Sequence, residues 1–325
     1  TEKGADVLAQ IVDLRDEAQA AREYPFFSLL QKYCLKGCNN LLIQSSITPM
    51  VHGGFMMTNI QKETQNMSMN RPVAMVTGAS SGIGLAIFLR KGFAIAHHLA
   101  HHGYDLAICA RRQDRLDAIA LQLTEKGADV LAQIVDLRDE AQILSFFAAI
   151  KSRWGRLDVL INNAGLGHKE SLTSGDTEAW REMLEVNVLA LSICTREALT
   201  LMTPAQTDSR AGHIVHVSSL SGHRVPSIAG MYSATKFAVR SLAETLRREL
   251  RSQNSPIRIS SVSPGVVETE FAEKYYQSAE KAEHTYSQFT VLQADDIANA
   301  VLYALTQPAH VEVNDILVRP TQQSA

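Results

Sequence analysis

Short apolar runs rich in β-branched residues alternate with helical segments from Met69 to the end of the chain. This alternation is typical of a parallel sheet that is covered by helices on both faces. The clearest predicted helices are Thr177–Met202 and Tyr232–Arg251, and residues 69–325 are expected to form a single α/β domain. The predicted strands are Val73–Thr77, Leu106–Ala110, Val130–Val135, Val159–Ile161, His213–Ser218, Arg258–Ser263 and Asp315–Val318.

The composition is that of an ordinary globular protein, with 46% hydrophobic and 20% charged residues among 325. A formal net charge of −3 gives no basic surface for a nucleic-acid partner. No apolar run approaches the roughly 18 residues of a membrane-spanning helix, so no membrane partner is expected. Cys109 and Cys194 lie in apolar patterns, which predicts buried thiols in a reducing compartment, the cytoplasm. Cys34 and Cys38 lack the second ligand pair that a zinc site needs.

Residues 1–68 are interpreted as a poorly specified N-terminal extension, in which Ala20–Ser68 show no sustained helical or strand period. Within it, Thr1–Gln19 repeats Thr124–Gln142 residue for residue, which fits a recent duplication or an assembly fault better than a repeat architecture. A second irregularity lies in the first helix, where Phe88–Ile95 can be read as an eight-residue insertion. Such an insertion rotates a helix by about 80° beyond two full turns, and therefore bears on cofactor binding.

A glycine-rich turn follows the first predicted strand and opens a helix. Glycines there allow positive φ and close backbone approach, so that amide groups at the helix N-terminus face a pyrophosphate. The position at a strand-to-helix junction makes this a candidate dinucleotide site. The candidate residues are Gly78, Ser80, Ser81, Gly82, Ile83 and Gly84.

The end of the second strand bears on the choice of cofactor. Sites for NAD usually place an acidic residue here for the ribose hydroxyls, whereas this chain has Ala110, Arg111 and Arg112. Guanidinium groups suit a 2′-phosphate, so NADP(H) is favoured over NAD(H). Asp136 is a candidate for the adenine amino group. Three further candidates, at the end of the fourth strand, are Asn163, Ala164 and Gly165.

Tyr232 and Lys236 lie four residues apart at the start of a predicted helix and so share a face. A neighbouring ammonium is expected to stabilise the Tyr232 phenolate and lower its pKa, which suits proton exchange with a carbonyl oxygen or an alcohol. Ser219, at a strand end, is expected to orient the substrate oxygen. Asn187 lies mid-helix, where an amide is a mediocre helix former. It is either a surface residue or a buried one that holds a relay water.

These features resemble the ordered motifs of the short-chain dehydrogenase/reductase family. The motifs are TGASSGIG from Thr77, NNAG from Asn162, Asn187, Ser219, YSATK from Tyr232 and PGVVET from Pro264. The resemblance implies a Rossmann-type doubly wound sheet of strand order 3-2-1-4-5-6-7. It also implies that Tyr232 and Lys236 contact the cofactor, Lys236 at the nicotinamide ribose. Pro264, Gly265, Val267 and Thr269 would hold the carboxamide.

The same resemblance implies a carbonyl/alcohol substrate of apolar character, such as a steroid, a terpenoid or a small dicarbonyl, and a homodimer or homotetramer. Aromatic residues after the Pro-Gly turn are interpreted as a mobile lid over that substrate. They are Phe271, Tyr275, Tyr276, Tyr286 and Phe289. Two alternatives stay open: a 3-oxoacyl thioester reductase, and a catalytically silent dinucleotide-binding protein because of the insertion.

No metal is expected. His97, His98, His101 and His102 pair at a spacing that could bind one, but no carboxylate is in register and the chemistry needs none. They are interpreted as a polar helix face.

Overall fold

The computed structural model describes residues 71–79, 95–202, 212–226 and 230–323. Seven strands form one parallel sheet of order β3-β2-β1-β4-β5-β6-β7, which confirms the predicted fold class and strand order. The strands are β1 Val73–Thr77, β2 Asp105–Ala110, β3 Val130–Ile134, β4 Val159–Asn162, β5 His213–Val217, β6 Arg258–Pro264 and β7 Asp315–Val318.

The α-helices of the described ranges lie between and beyond these strands. They are α1 Ile95–His101, α2 Gln113–Glu125, α3 Glu140–Trp154, α4 Thr177–Leu184, α5 Leu191–Leu201, α6 Gly230–Ser252, α7 Phe271–Tyr276, α8 Ala279–Ser287 and α9 Ala294–Leu305. A π-helical turn, Glu185–Ala190, joins α4 to α5, and a 3₁₀ turn, Leu220–Gly222, follows β5. The predicted helix Thr177–Met202 is therefore interrupted at its centre.

Each face of the sheet carries its own apolar core, because successive side chains of a strand point to opposite faces. In β1, Ala74 and Val76 pack on the face that α1, α2 and α9 cover. Val73 and Met75 pack on the face that α3, α5 and α6 cover. The five inner strands are buried along their whole length, which explains why β1, β2 and β4 are mostly apolar without alternation.

Two irregular regions noted in the sequence fall mostly outside the described ranges. The first is the extension 1–68, which includes the first copy of the repeat. The second is the insertion Phe88–Ile95, of which only Ile95 is described, as the first residue of α1. The second copy, Thr124–Gln142, supplies β3 and the start of α3, where Asp139 accepts hydrogen bonds from two backbone amides. Within the described ranges no helix combines the length and apolar character needed to cross a membrane.

Candidate active site

A cleft of about 1030 Å³ lies at the carboxyl ends of the inner strands. Ligands of open α/β sheets bind at this edge, where strand order reverses, here between β1 and β4. Six successive strand ends, from β3 to β6 in the sheet order, contribute to its lining, Asp136 standing for β3. The representative residues are Gly78 after β1, Ala110 ending β2, Asn163 after β4, Ser219 after β5 and Gly265 after β6.

Hydrogen bonds join the turn after β1 to the turn after β4. Thr77 Oγ1 accepts hydrogen bonds from the backbone amides of Asn163 and Ala164 at 3.1 and 3.0 Å. Asn163 Nδ2 donates to the Thr77 carbonyl at 2.9 Å. Gly78 has φ +66°, and a Cβ there would lie 2.9 Å from Ala164 Cα, so only glycine fits this close approach. Ser80, Ser81, Gly82, Ile83 and Gly84 lie outside the described residues.

Arg111 and Arg112, the residues predicted to face a 2′-phosphate, line the cleft. Arg112 Nη1 donates to Glu270 Oε2 at 3.1 Å. Arg111 is more exposed, and its Nη1 lies 3.9 Å from Glu182 Oε1. Both guanidinium groups therefore already have carboxylate partners in this structure.

Asp136 also lines the cleft, but its carboxylate is engaged. Arg138 donates to Asp136 Oδ1 through both its backbone amide and its Nε, each at 3.0 Å. These contacts, led by the Arg138 side-chain hydrogen bond, hold the pKa of Asp136 below its usual value. The carboxylate is thus an ionised hydrogen-bond acceptor at neutral pH.

Tyr232, on the first turn of α6, is buried in the cleft wall. Burial raises the pKa of its hydroxyl to about 12, although a hydrogen bond with Ser219 opposes the shift. The net shift of the Tyr232 pKa is therefore upward, opposite to the lowering expected from Lys236, because burial disfavours the charged phenolate. Ser219 is held by its own turn, since its Oγ accepts from the Ser221 amide at 3.1 Å.

Lys236 is the buried cation of the site, only 5% exposed. Its Nζ donates to the Val217 carbonyl at 3.1 Å and lies 5.9 Å from the centre of the Tyr232 ring. Burial lowers the pKa of Lys236 to about 8. An ammonium near the phenol at neutral pH would favour any negative charge that develops there.

Asn187 is buried in the π-helical turn and does not line the cleft directly. Its Oδ1 accepts from the Leu166 amide at 2.9 Å, and its Nδ2 donates to the Leu166 carbonyl at 2.8 Å. Nδ2 also donates to Thr235 Oγ1 at 3.0 Å, one residue before Lys236. A Cβ on Gly165 would lie 3.5 Å from Asn187 Oδ1 and 3.4 Å from Lys236 Nζ, so these atoms stand directly behind the cleft wall.

Hydrogen bonds hold the segment Pro264–Thr269, at and after the end of β6, to neighbouring parts of the chain. Gly265 donates its amide to the Val318 carbonyl at 2.7 Å, and Val267 pairs with Leu292. Tyr286 donates its hydroxyl to the Thr269 carbonyl at 2.5 Å. Pro264, Gly265, Val267 and Thr269 all line the cleft.

Helix α7 closes the cleft beside Tyr232. The ring centres of Phe271 and Tyr275 lie 5.4 and 5.9 Å from that of Tyr232. Gly167 fits between the three rings, because a Cβ there would come within 2.9 Å of Phe271 and of Tyr275. All five aromatic residues of the expected lid line the cleft.

Some contacts of the site escaped the sequence analysis. Thr77 and Thr235 lie inside the recognised motifs, so the sequence held a signal for them, but their hydrogen-bonding roles were not predicted. Glu270 follows the PGVVET motif directly, but its arginine partners are more than 150 residues away. No sequence signal joins them.

The histidines of α1 contribute nothing to the cleft lining. His98 Nε2 lies 3.1 Å from Asp295 Oδ1 of α9, and His97 is buried. Within the described ranges, no three His, Cys, Asp or Glu residues are grouped to hold a metal ion.

Comparison with known proteins gives consistent matches. A family profile described as short chain dehydrogenase matches residues 72–280. Dehydrogenase/reductase SDR family member 11 of Gallus gallus is 45% identical over 256 residues, which cover 77% of this chain and 96% of that protein. Farnesol dehydrogenase of Aedes aegypti is 36% identical over 252 residues, covering 76% and 95%.

Among solved structures, the closed form of a serine dehydrogenase complexed with NADP⁺ superposes with a TM-score of 0.69 at 30% identity. The match covers 78% of this chain and 96% of that one. With the sheet order and the strand-end cleft, these matches show that the chain belongs to the short-chain dehydrogenase/reductase family of oxidoreductases.

Proposed function

We propose that this oxidoreductase uses NADP(H) to interconvert an apolar ketone or aldehyde and its alcohol. The observation that carries the proposal is the convergence of Ser219, Tyr232 and Lys236 at the strand-end cleft. A hydroxyl with a pKa of about 12 stays protonated at neutral pH, so Tyr232 can give its proton to a substrate carbonyl oxygen. Ser219 Oγ is in position to hold that oxygen.

Lys236 stabilises the negative charge that the proton transfer leaves on Tyr232. When Tyr232 gives up its proton, the Lys236 ammonium and the Ser219 hydroxyl stabilise the phenolate. In the oxidising direction the same phenolate accepts the alcohol proton. Asn187 acts as a positioning residue, because its bonds to Leu166 and Thr235 fix the wall beside Lys236.

The cleft fits a dinucleotide. Gly78 allows close backbone approach, and the buried Asn163 Oδ1 has no hydrogen-bond partner among the described residues. Gly78, Asn163, Ala164 and Gly165 would hold the pyrophosphate side, with Ser80, Ser81, Gly82, Ile83 and Gly84 as further proposed contacts. Asp136, Arg111 and Arg112 would hold the adenosine side, and Lys236 with Pro264, Gly265, Val267 and Thr269 the nicotinamide side. A bound nicotinamide supplies or accepts the hydride.

The substrate class rests on the aromatic lid. Phe271 and Tyr275 form an apolar wall against Tyr232, which favours an apolar body next to the reacting carbon. The Aedes aegypti relative, named farnesol dehydrogenase, acts by its name on a terpenoid alcohol. We therefore propose steroid, terpenoid and small dicarbonyl compounds as the substrates to test first.

Domain limits, assembly and location are also proposals. We propose residues 69–325 as the catalytic domain and residues 1–68 as an extension. Exposed Leu184, Leu189 and Phe237 on the long helical segments support a homodimer or homotetramer. The buried free thiols of Cys109 and Cys194 fit a reducing compartment, the cytoplasm.

Replacing Tyr232 by Phe tests the proposed function. Loss of the proton donor should lower turnover of a ketone by roughly 10²- to 10⁴-fold, with NADPH affinity changed only a few-fold. Turnover is followed by NADPH absorbance and affinity by fluorescence titration. Tyr303→Phe, the same change at an exposed site on α9, is the matched control. A Tyr232→Phe variant with full turnover would contradict the assignment.

A further inference from the structure

Three basic side chains converge on one carboxylate of the cleft lining, that of Glu270. Arg112 Nη1 lies 3.1 Å from Glu270 Oε2, and Arg115 donates to Glu270 Oε1. Lys274 Nζ lies 3.6 Å from Glu270 Oε2. One negative charge therefore faces three positive charges, and the group keeps a net attraction for anions.

The position of Glu270 makes this cluster unusual. Glu270 is the N-cap residue directly before α7, yet its side chain makes no capping hydrogen bond to that helix. It reaches instead to Arg112, which precedes α2, and to Arg115 on the first turn of α2. Burial alone would raise the pKa of Glu270, but the hydrogen bonds from Arg115 and Arg112 hold it below its usual value. The carboxylate is therefore ionised at neutral pH.

The cluster lies where the extra phosphate of NADP is proposed to bind. Arg111, Arg112, Glu270 and Lys274 all line the cleft. Building on the proposed function, we infer that Glu270 fills the 2′-phosphate site from within the chain and must be displaced from Arg112 and Arg115 when NADP binds. Glu270 is thus a specificity-determining residue that limits the preference for NADP over NAD.

Charge and geometry explain why the 2′-phosphate of NADP can displace the Glu270 carboxylate from its arginine partners. A phosphate monoester brings nearly two negative charges and three acceptor oxygens, whereas Glu270 brings one charge and two oxygens. Glu270 and Arg112 are each about one-third exposed, so the displaced carboxylate can turn toward water. NAD has no phosphate at this position and leaves the Glu270 contacts in place.

The experiment uses calorimetry to measure the binding of two probes, which correspond to the adenosine halves of NADP and of NAD. Adenosine 2′,5′-bisphosphate carries the additional phosphate and adenosine 5′-monophosphate lacks it. The proteins are the full chain, Glu270→Gln and Glu273→Gln; the last removes the same charge from an exposed position of α7. Glu270→Gln should strengthen binding of the bisphosphate by at least about threefold, the scale of one partly exposed ion pair. The monophosphate and the Glu273→Gln variant should show no change.

The outcomes separate this inference from the proposed function. An unchanged or weakened affinity of Glu270→Gln for the bisphosphate would overturn the inference, as would an equal gain for both probes. Equal strengthening by Glu273→Gln would show a general charge effect and overturn it too. If the unmodified chain binds neither probe nor NADPH, the proposed cofactor itself is wrong. Binding of NADPH with no selective effect of Glu270→Gln refutes only the role of Glu270.

Discussion

At the scale of single residues, burial governs the acid-base pair. It raises the pKa of Tyr232 to about 12 and lowers that of Lys236 to about 8, because the charged form of each is desolvated. Tyr232 is thus protonated at neutral pH, which fits its proposed role as proton donor, and the buried charge of Lys236 lowers the stability of the fold. Such opposed shifts at one site are typical of functional residues.

The variant Lys236→Met tests how much stability the buried ammonium of Lys236 costs the folded chain. The pKa of Lys236 is depressed in the folded state relative to its ordinary value of 10.5, so the penalty is full below pH 8. It disappears as pH rises through about 10.5. Lys236→Met should therefore increase the free energy of unfolding at pH 7, by a penalty on the order of 3 kcal/mol less the lost hydrogen bond to Val217. Denaturant titration should show the difference shrinking near pH 10, while turnover is lost at every pH. A variant less stable at pH 7 would contradict this.

At the scale of elements, two irregular segments shape the site. The π-helical turn Glu185–Ala190 places Asn187 so that both ends of its amide bind the backbone of Leu166. Turns of this kind often occur at functional sites. Helix α7, on the other side of the cleft, packs Phe271 and Tyr275 against Tyr232. The close packing of Gly167 against these rings fixes the distance between α7 and Tyr232.

Gly167→Ala tests the packing of the lid. The added methyl would lie within 3.0 Å of Phe271, Tyr275 and Tyr232, so the rings must move. Overpacking costs about 1–3 kcal/mol, and turnover should fall by roughly tenfold as Tyr232 shifts. The change is read from turnover and from the thermal midpoint.

A compensating change provides the control for this prediction. Tyr275→Leu removes one of the three crowding rings. Adding Gly167→Ala to Tyr275→Leu should therefore lower turnover by a smaller factor than adding it to the unmodified chain. Equal losses from Gly167→Ala in both backgrounds would place the effect elsewhere in the structure.

At the scale of the whole molecule, the sheet is a buried layer between two helical layers, and it encloses histidines. His213 and His216 of β5 are at most 2% exposed. Burial, the largest cause in both, lowers their pKa values to about 3 and about 4. His216 Nδ1 accepts a hydrogen bond from Asn162 Nδ2, an arrangement that suits the neutral ring.

These histidines predict acid sensitivity. The unfolded chain binds protons on histidine below about pH 6.5 while the folded chain does not, so stability falls as pH drops from 6.5 toward 4. Between pH 7 and 5 each buried histidine should remove about 2 kcal/mol from the free energy of unfolding. His216→Asn keeps an acceptor for Asn162 but cannot titrate, and denaturant titrations at both pH values should show a smaller loss. An unchanged loss would refute the assignment to His216.

The alternation of apolar runs and helical segments was enough to predict all seven strands within a residue or two. Local patterns suffice there because strands that are buried on both faces are rich in apolar residues. The sequence motifs also indicated Ser219, Tyr232 and Lys236, since their spacing and strand-end positions repeat an ordered family pattern. The interruption of the predicted helix at Glu185–Ala190 was missed, because the composition of a π turn does not differ from that of a helix.

The sequence by itself therefore predicted the sheet and, through the family resemblance, its strand order. It also pointed to Ser219, Tyr232 and Lys236, which remain the proposed acid-base residues. Only the tertiary structure decided the direction of the Tyr232 pKa shift, which depends on how completely the surrounding chain excludes water. It also decided that Arg112 and Arg115 meet Glu270, a contact across more than 150 residues. Desolvation and long-range ion pairing arise from three-dimensional proximity, and no local pattern of residues encodes them.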